Sequence, residues 1–260
     1  MRSFTTIVLA GSRPGPDPLT AGTGLSSKAL LPIAGIPMLA YVLRSLAATP
    51  QVGRIIVMAQ DVEALANNPA IAAAAKVEWR VSRGSIADAI HGLLADTDGP
   101  LLVTSADNVL LTPAIAEQFV AATSGCDLAI GMVERERVRS AGHSTKRTWL
   151  AFRGGKWSGA NLFWLGGSQV DPFVSFWSAV EQDRKKGLKI IGAFGPGLLL
   201  GAVLRLMDIH TFARRAGQRF GLDARIVSLD APEACIDADK PADLPVIETI
   251  LASRQAAASA

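Results

Sequence analysis

The sequence predicts an α/β fold built on a mainly parallel sheet with helices on both faces. Two observations carry that expectation. From Thr5 to Met132, short apolar runs of strand length alternate with helical stretches of ten or so residues, the rhythm of strand–helix–strand units. The chain also has 260 residues, 49% of them hydrophobic and 19% charged, enough for a large buried core and too apolar for a disordered body. With no long linker and no internal repeat, residues 1–260 read as a single domain.

The elements follow in order. Thr6-Ile-Val-Leu9 is an apolar run closed by glycine, a first strand. Met38 to Leu46 places apolar residues at helical spacing, and Arg54 to Met58 and Val77 to Val81 are strands. Ser85 to Leu94 is a helix whose serine can cap the first turn. Leu101 to Thr104 is a fourth strand, Pro113 to Ala122 a helix opening on proline, and Asp127 to Met132 a fifth strand. The rhythm then breaks. Glu134 to Arg147 is charged and lacks an apolar period, followed by strand-like pieces at Trp149–Phe152 and Asn161–Leu165. Helices are expected at about Pro172–Lys186, Leu198–Leu206 and Thr211–Arg219, a returning strand at Arg225–Ser228 and a last helix at Pro241–Arg254. The tail from Gln255 is expected to fray. Residues 134–224 therefore read as a smaller, partly helical insertion.

Composition excludes several classes. The net charge of +3 argues for neither nucleic acid nor an anionic surface. The two cysteines, Cys126 and Cys235, have no ligand spacing, which fits a reducing cytoplasm. The start, Met1-Arg2-Ser3 and a short apolar run, reads as a strand and not as a secretory signal. Ile190 to Leu206 is apolar but interrupted at Gly195-Pro196-Gly197, too short and broken to span a bilayer. Burial in the insertion or at an oligomer interface is expected for it, and membrane contact is not.

Ligands of an open parallel sheet bind beyond the carboxyl ends of its strands, and three segments there are chemically loaded. The first runs from Leu9-Ala10-Gly11-Ser12-Arg13 through Gly22-Thr23-Gly24 to Lys28. Glycines admit phosphate oxygens to backbone N–H groups and a lysine supplies the countercharge; the plainer reading is a surface loop. The second is Thr104-Ser105-Ala106-Asp107-Asn108, where a strand-end carboxylate suits a hard cation and Asp-Asn equally suits a turn. The third is Cys235-Ile-Asp237-Ala-Asp239-Lys-Pro241-Ala-Asp243-Leu244. Asp237 and Asp239 alternate along an extended segment and share a side, so they can converge on one ion. Asp239 with Pro241 is otherwise an ordinary helix start, and Asp243 complements that helix's dipole.

Taken together, Leu9-Ala10-Gly11, then Lys28-Ala-Leu-Leu-Pro32-Ile-Ala-Gly35-Ile-Pro37, and the late Asp239-Lys-Pro241-Ala-Asp243-Leu244 resemble the nucleotidyltransferase superfamily of MobA-like NTP transferases and nucleotide-sugar pyrophosphorylases. The resemblance covers most of residues 1–133 and again 225–252. It implies a Rossmann-like fold and a reaction joining a nucleoside triphosphate to a small phosphorylated acceptor with release of pyrophosphate. By the same resemblance Leu9, Ala10, Gly11, Ser12 and Arg13 line the nucleotide, and Lys28 binds phosphate and stabilises charge on the transferring group. Asp107 is catalytic with Lys28 and, with Asp239 and Asp237, holds Mg²⁺. Ser82, Gly84 and Ser85 lie where relatives read the base, and Asn161 where relatives contact the acceptor. The loop from Gly11 to Lys28 is longer than the family's and carries Pro14, Pro16 and Pro18.

Other residues carry two readings. Lys146 and Arg147 sit in a polar loop that can clamp an acceptor phosphate or be merely solvated. Trp157, Trp164, Phe173, Phe176 and Trp177 can stack on an acceptor, form a homo-oligomer face or, as expected, pack the core. His91, His143 and His210 do not cluster and are taken as structural or surface residues. The acceptor is a sugar or alditol phosphate, a cofactor precursor or a phosphorylated head-group alcohol. Two rival functions remain: a glycosyltransferase of related fold using a nucleotide sugar, and a nucleotide-binding regulator that has lost catalysis.

Overall fold

The computed structural model describes residues 3–11, 15, 17–82, 86–97, 99–143, 147–182 and 192–259. Its frame starts at β1 (Phe4–Leu9), five of whose six residues are buried. A strand covered on both faces needs such a continuous apolar and β-branched run. β2 (Pro32–Ile33) and β3 (Ile36–Pro37) form a two-residue hairpin whose Ala34 and Gly35 have φ of 46° and 80°. Positive φ at both turn positions matches the hairpin's twist, and the turn feeds α1 (Met38–Ala47), which buries Met38, Leu39, Val42, Leu43 and Leu46. β4 (Val52–Ala59), α2 (Val62–Ala66), α3 (Pro69–Ala72), β5 (Glu78–Val81), α4 (Ile86–Asp96), β6 (Leu101–Ser105), α5 (Pro113–Ala121) and β7 (Leu128–Glu134) continue the alternation.

Beyond β7 the structure departs from the sequence reading. Part of the charged stretch is a helix, α6 (Arg135–Ser140), which buries only Val138. One buried residue in six leaves no apolar period to read. Its supports are local: a Glu136–Arg139 pair at 2.8 Å, and Arg137 and Arg139 in the last turn, where the helix dipole favours cations. β8 (Leu150–Phe152) pairs with β9 (Gly155–Leu165), an eleven-residue strand far longer than the expected Asn161–Leu165 piece. Gly155, Ser158, Gly159 and Asn161 dilute the apolar pattern of its first half and hide it from a sequence reading. β9 runs antiparallel between β6 and β7 within the main sheet. Then come α7 (Asp171–Gln182), α8 (Pro196–Val203), α9 (Ile209–Gln218), β10 (Ala224–Ser228) and α10 (Leu244–Ser259). The tail is helical through Ser259, because its alanines favour helix and Arg254 ties it to Glu233 at 2.9 Å.

The main sheet has the order β10-β7-β9-β6-β1-β4-β5, with β8 on the side of β9. Every pairing outside β9 is parallel, as expected. One face of β1 packs Phe4 and Val8 with α1 and α5; the other turns Ile7 toward Ala87, Ile90 and Val174 of α4 and α7. Two apolar layers therefore sandwich the sheet and hold the carboxyl ends of β1 and β6 side by side.

Candidate active site

Backbone pairing fixes the floor. Ala10 N–H donates to Met58 at 2.8 Å and Ala106 N–H to Leu9 at 2.9 Å, so the loops after β1 and β6 leave the sheet together. Ala10 is buried and Leu9 half-buried; a Cβ at the exposed Gly11 would lie 3.0 Å from the Gln60 side chain. Lys28 opens a single 3₁₀ turn (Lys28–Leu30) capped by Ser27, whose buried hydroxyl accepts from Ala29 N–H at 3.2 Å. That turn aims the lysine at the end of β6.

Lys28 Nζ donates to Asp107 Oδ2 at 2.6 Å and stands 3.5 Å from Asp239 Oδ1. Ser105 Oγ donates to the other Asp107 oxygen, and Ala238 N–H donates to the Asp107 carbonyl at 3.0 Å, tying the late segment to β6. The buried Asn108 side chain donates to Thr104 Oγ1 at 3.2 Å and to the Ala160 carbonyl at 3.1 Å, anchoring β9 beside the same turn. Burial works against the lysine's charge, but the carboxylates of Asp107, Asp239 and Asp17 outweigh it and hold the pKa above its ordinary value. Lys28 is therefore a full cation held among carboxylates.

Asp237, two residues before Asp239, is engaged elsewhere. Its Oδ1 lies 2.5 Å from Arg147 Nη2 and its Oδ2 accepts from Asn161 Nδ2 at 2.8 Å. Asn161 is aimed there by a bulge: the β7–β9 register skips between Ile130 and Met132, and Asn161 opposite has φ of 51°. Asparagine is among the few residues that tolerate that conformation, and a bulge re-aims a side chain. Burial pushes the Asp237 carboxyl above the usual carboxylate value, and Arg147 pulls it part of the way back. Arg147, Thr148, Leu150, Asn161, Asp239 and Lys240 line a cleft of about 280 Å³ beside this triad. Asp243 accepts from Asp239 N–H at 3.3 Å and Lys240 N–H at 2.9 Å, so it caps the turn before α10 and fixes the Asp239 backbone.

The structure thus gathers Lys28, Asp107 and Asp239 at one point and Arg147, Asn161 and Asp237 at a neighbouring one. Ser82 lies after β5, its N–H on the Ala59 carbonyl at 2.8 Å. Ser12, Arg13, Gly84, Ser85 and Lys146 lie outside the described residues. The sequence reading gives Ser105 no role and Asn108 only a turn, although Ser105, at i−2 from Asp107 along a strand end, carries a signal. His91 pairs with Asp171 at 2.7 Å and His210 meets the edge of Trp157 at 5.7 Å, both apart from the site. The aromatic cluster packs edge to face, Phe173 on Trp177 and on Phe220.

Among the described residues no three or more His, Cys, Asp or Glu side chains form a group able to hold a metal. Two carboxylates, Asp107 and Asp239, do converge on one cation, the lysine ammonium. That donor set fits Mg²⁺, which takes one or two carboxylates and completes its shell from water and substrate phosphates. Asp237 has both oxygens on protein donors, Arg147 and Asn161, and Asp107 has both on Lys28 and Ser105; what separates them is that Asp107 shares its lysine with Asp239.

A mainly parallel sheet with candidate chemistry at its strand ends is the plan of a doubly wound α/β protein, and comparison with known proteins narrows it to the nucleotide-diphospho-sugar transferase fold. Residues 6–191 match the MobA-like NTP transferase domain, and the chain belongs to that family. A solved structure described as a hypothetical transferase from Thermus thermophilus is 27% identical, with TM-score 0.78 over 94% of this chain and 100% of that one. CMP:2-keto-3-deoxy-manno-octonic acid synthetase complexed with CTP superposes at TM-score 0.59 with 13% identity, over 97% and 100%. 4-Diphosphocytidyl-2C-methyl-D-erythritol synthase from Anaerococcus prevotii does so at 0.58 with 10% identity, over 96% of each chain. No curated protein matches the chain.

Proposed function

We propose that the protein transfers a nucleotidyl group from a nucleoside triphosphate to a small phosphorylated acceptor in a Mg²⁺-dependent reaction. The observation that carries this reading is Lys28 poised between Asp107 and Asp239 at the shared end of β1 and β6. An acceptor phosphate oxygen attacks the α-phosphorus, the bond to the bridging oxygen breaks, and pyrophosphate leaves. The protein's part is to position the reactants and to stabilise charge. Backbone groups of Leu9, Ala10 and Gly11 line the nucleotide, and Lys28 holds phosphate oxygens as their charge grows. Mg²⁺, held by Asp107 and Asp239, would neutralise charge on the phosphates.

The cleft beside Arg147 receives the acceptor. Asp237 meets Arg147 and Asn161, two lining residues of that cleft, so we assign that carboxylate to orienting them and the metal to Asp107 and Asp239, which face each other across Lys28. Buried, unpaired Cys126 and Cys235 suit work in a reducing cytoplasm.

Titration calorimetry with CTP, GTP, ATP and UTP, each with and without Mg²⁺, tests the reading. CTP comes first, because a fold neighbour is described in complex with it. One triphosphate should bind, and binding should weaken without Mg²⁺ or in Asp107→Asn. A nucleotide sugar binding in place of every triphosphate would assign the site to glycosyl transfer and overturn the proposal.

A further inference from the structure

The most apolar helix among the described residues, α8, is only partly buried. Six large hydrophobic residues are exposed among the described residues, and four of them fall between positions 200 and 206: Leu200, Val203, Leu204 and Leu206. Val203 is 77% exposed and Leu206 63%. Leu200, Val203 and Leu204 stand at i, i+3 and i+4 and share one face of α8. The composition of Ile190 to Leu206 predicts burial in the insertion or at an oligomer interface; among its described residues Leu198 and Gly201 are buried within the chain. A cluster of this kind marks an interaction surface.

Charge narrows what covers it. Between residues 192 and 219 the sequence has four arginines and one acidic residue, Asp208. Asp208 is committed to capping α9 through Thr211 and to Arg153 at 3.7 Å. Arg205, Arg214, Arg215 and Arg219 are exposed, and no ion pair among the described residues takes up Arg205, Arg214 or Arg215. Arg219 reaches back to the start of α8, with a guanidinium nitrogen 3.2 Å from where a Gly195 Cβ would stand. Arg205 sits within the patch at φ 56°, in the αL position that ends α8. Leu206 N–H bonds the Gly201 carbonyl at 2.8 Å and Arg205 N–H the Ala202 carbonyl at 3.0 Å, the motif that ordinarily places glycine there. Arg205 stands beside the exposed leucines on the rim of a cleft it shares with Glu134, Glu136 and Lys156, so the cations left to the patch are Arg214, Arg215 and Arg219.

A second copy of this chain fits such a surface poorly. A two-fold contact would gather the arginines of both copies at one interface, and a stable interface takes about 20–30 residues a side. We propose that this surface, α8 and the turn after it, docks on an anionic lipid bilayer. The aliphatic side chains enter the headgroup boundary and the flanking arginines meet lipid phosphate. The docking is peripheral: no helix among the described residues is long and apolar enough to cross a membrane. It stands on exposure and charge, independently of the catalytic reading.

Flotation of the full chain with vesicles tests this. Vesicles of phosphatidylcholine with an equal part of phosphatidylglycerol should carry the protein, while phosphatidylcholine alone should not, and added salt should release it. Leu204→Ser with Leu206→Ser should abolish flotation. Arg214→Glu, which removes no packing, should weaken it by about fivefold or more. Melting curves and circular dichroism of both variants check that they fold. Absence of flotation on the anionic vesicles, or flotation unchanged in folded variants, overturns the proposal. So does a concentration-dependent dimer, seen by sedimentation, that the leucine variants dissociate, since that assigns the patch to a second copy.

Discussion

Replacing Arg147 by leucine isolates the buried Arg147–Asp237 pair. Each side chain is 11% exposed, so solvent screens the pair little. Removing one partner of a buried pair costs about 3–5 kcal/mol. The lower figure applies here, because the Asn161 hydrogen bond at 2.8 Å remains and the carboxyl can escape by protonating. A loss of about 3 kcal/mol corresponds to about 6–12 °C in Tm for a chain of this size. Asp237→Asn should cost at least as much as Arg147→Leu, because the buried arginine left behind cannot shed its charge, and the double variant less than the sum of the two by about 1 kcal/mol or more, since it leaves no orphaned charge.

The pH dependence has a definite sign. The folded Asp237 carboxyl has a pKa above its unfolded value, so the folded state binds the proton more tightly. Its contribution to stability is greatest below the ordinary carboxylate pKa and is lost as pH rises through the raised folded value. Loss of Arg147 raises that value further. The deficit of Arg147→Leu relative to wild type should therefore widen from mildly acidic to neutral pH. Urea unfolding of the four proteins at both conditions measures it. A neutral-pH loss under about 1 kcal/mol, or strict additivity, would refute the reasoning.

Four further outcomes follow from the same geometry. Lys28→Ala should lower turnover by about 10²–10³-fold, the scale of losing one stabilising donor, with the fold intact by circular dichroism. Because the lysine's folded pKa is raised above 10.5, its ion-pair stabilisation is complete below that value and lost as pH rises through the folded one; Lys28→Gln should flatten this alkaline decline in unfolding measurements. Arg205→Gly should raise stability by about 0.5–1 kcal/mol, read in thermal melts, because it relieves an αL arginine. Cys235 is buried and its thiol is pushed up to about 11, so it should resist a thiol-specific reagent at neutral pH until the chain unfolds, followed by absorbance.

The parallel frame was legible because its signal is local. Each of β1, β4, β6 and β7 is an apolar run bounded by polar or glycine residues, and each helix between them repeats its apolar face. Lys28, Asp107 and Asp239 were legible for a related reason: in such a sheet, chemistry collects after strand ends, and short motifs mark those turns. β9 was only half visible, because a strand aimed at a site carries Gly159 and Asn161 where an ordinary strand carries aliphatics. Nothing local separates Asp237 from Asp239. The two share a side of one extended segment, yet the first meets Arg147 and the bulged Asn161 while the second meets Lys28, from chain distances no periodicity encodes. The surface of α8 shows the converse: its composition reads as interior, yet the tertiary structure leaves Leu200 and Val203 exposed. Composition and periodicity determine which segments must be covered; which neighbour covers them, and which carboxylate keeps a free oxygen, is decided by contacts between residues far apart in the chain.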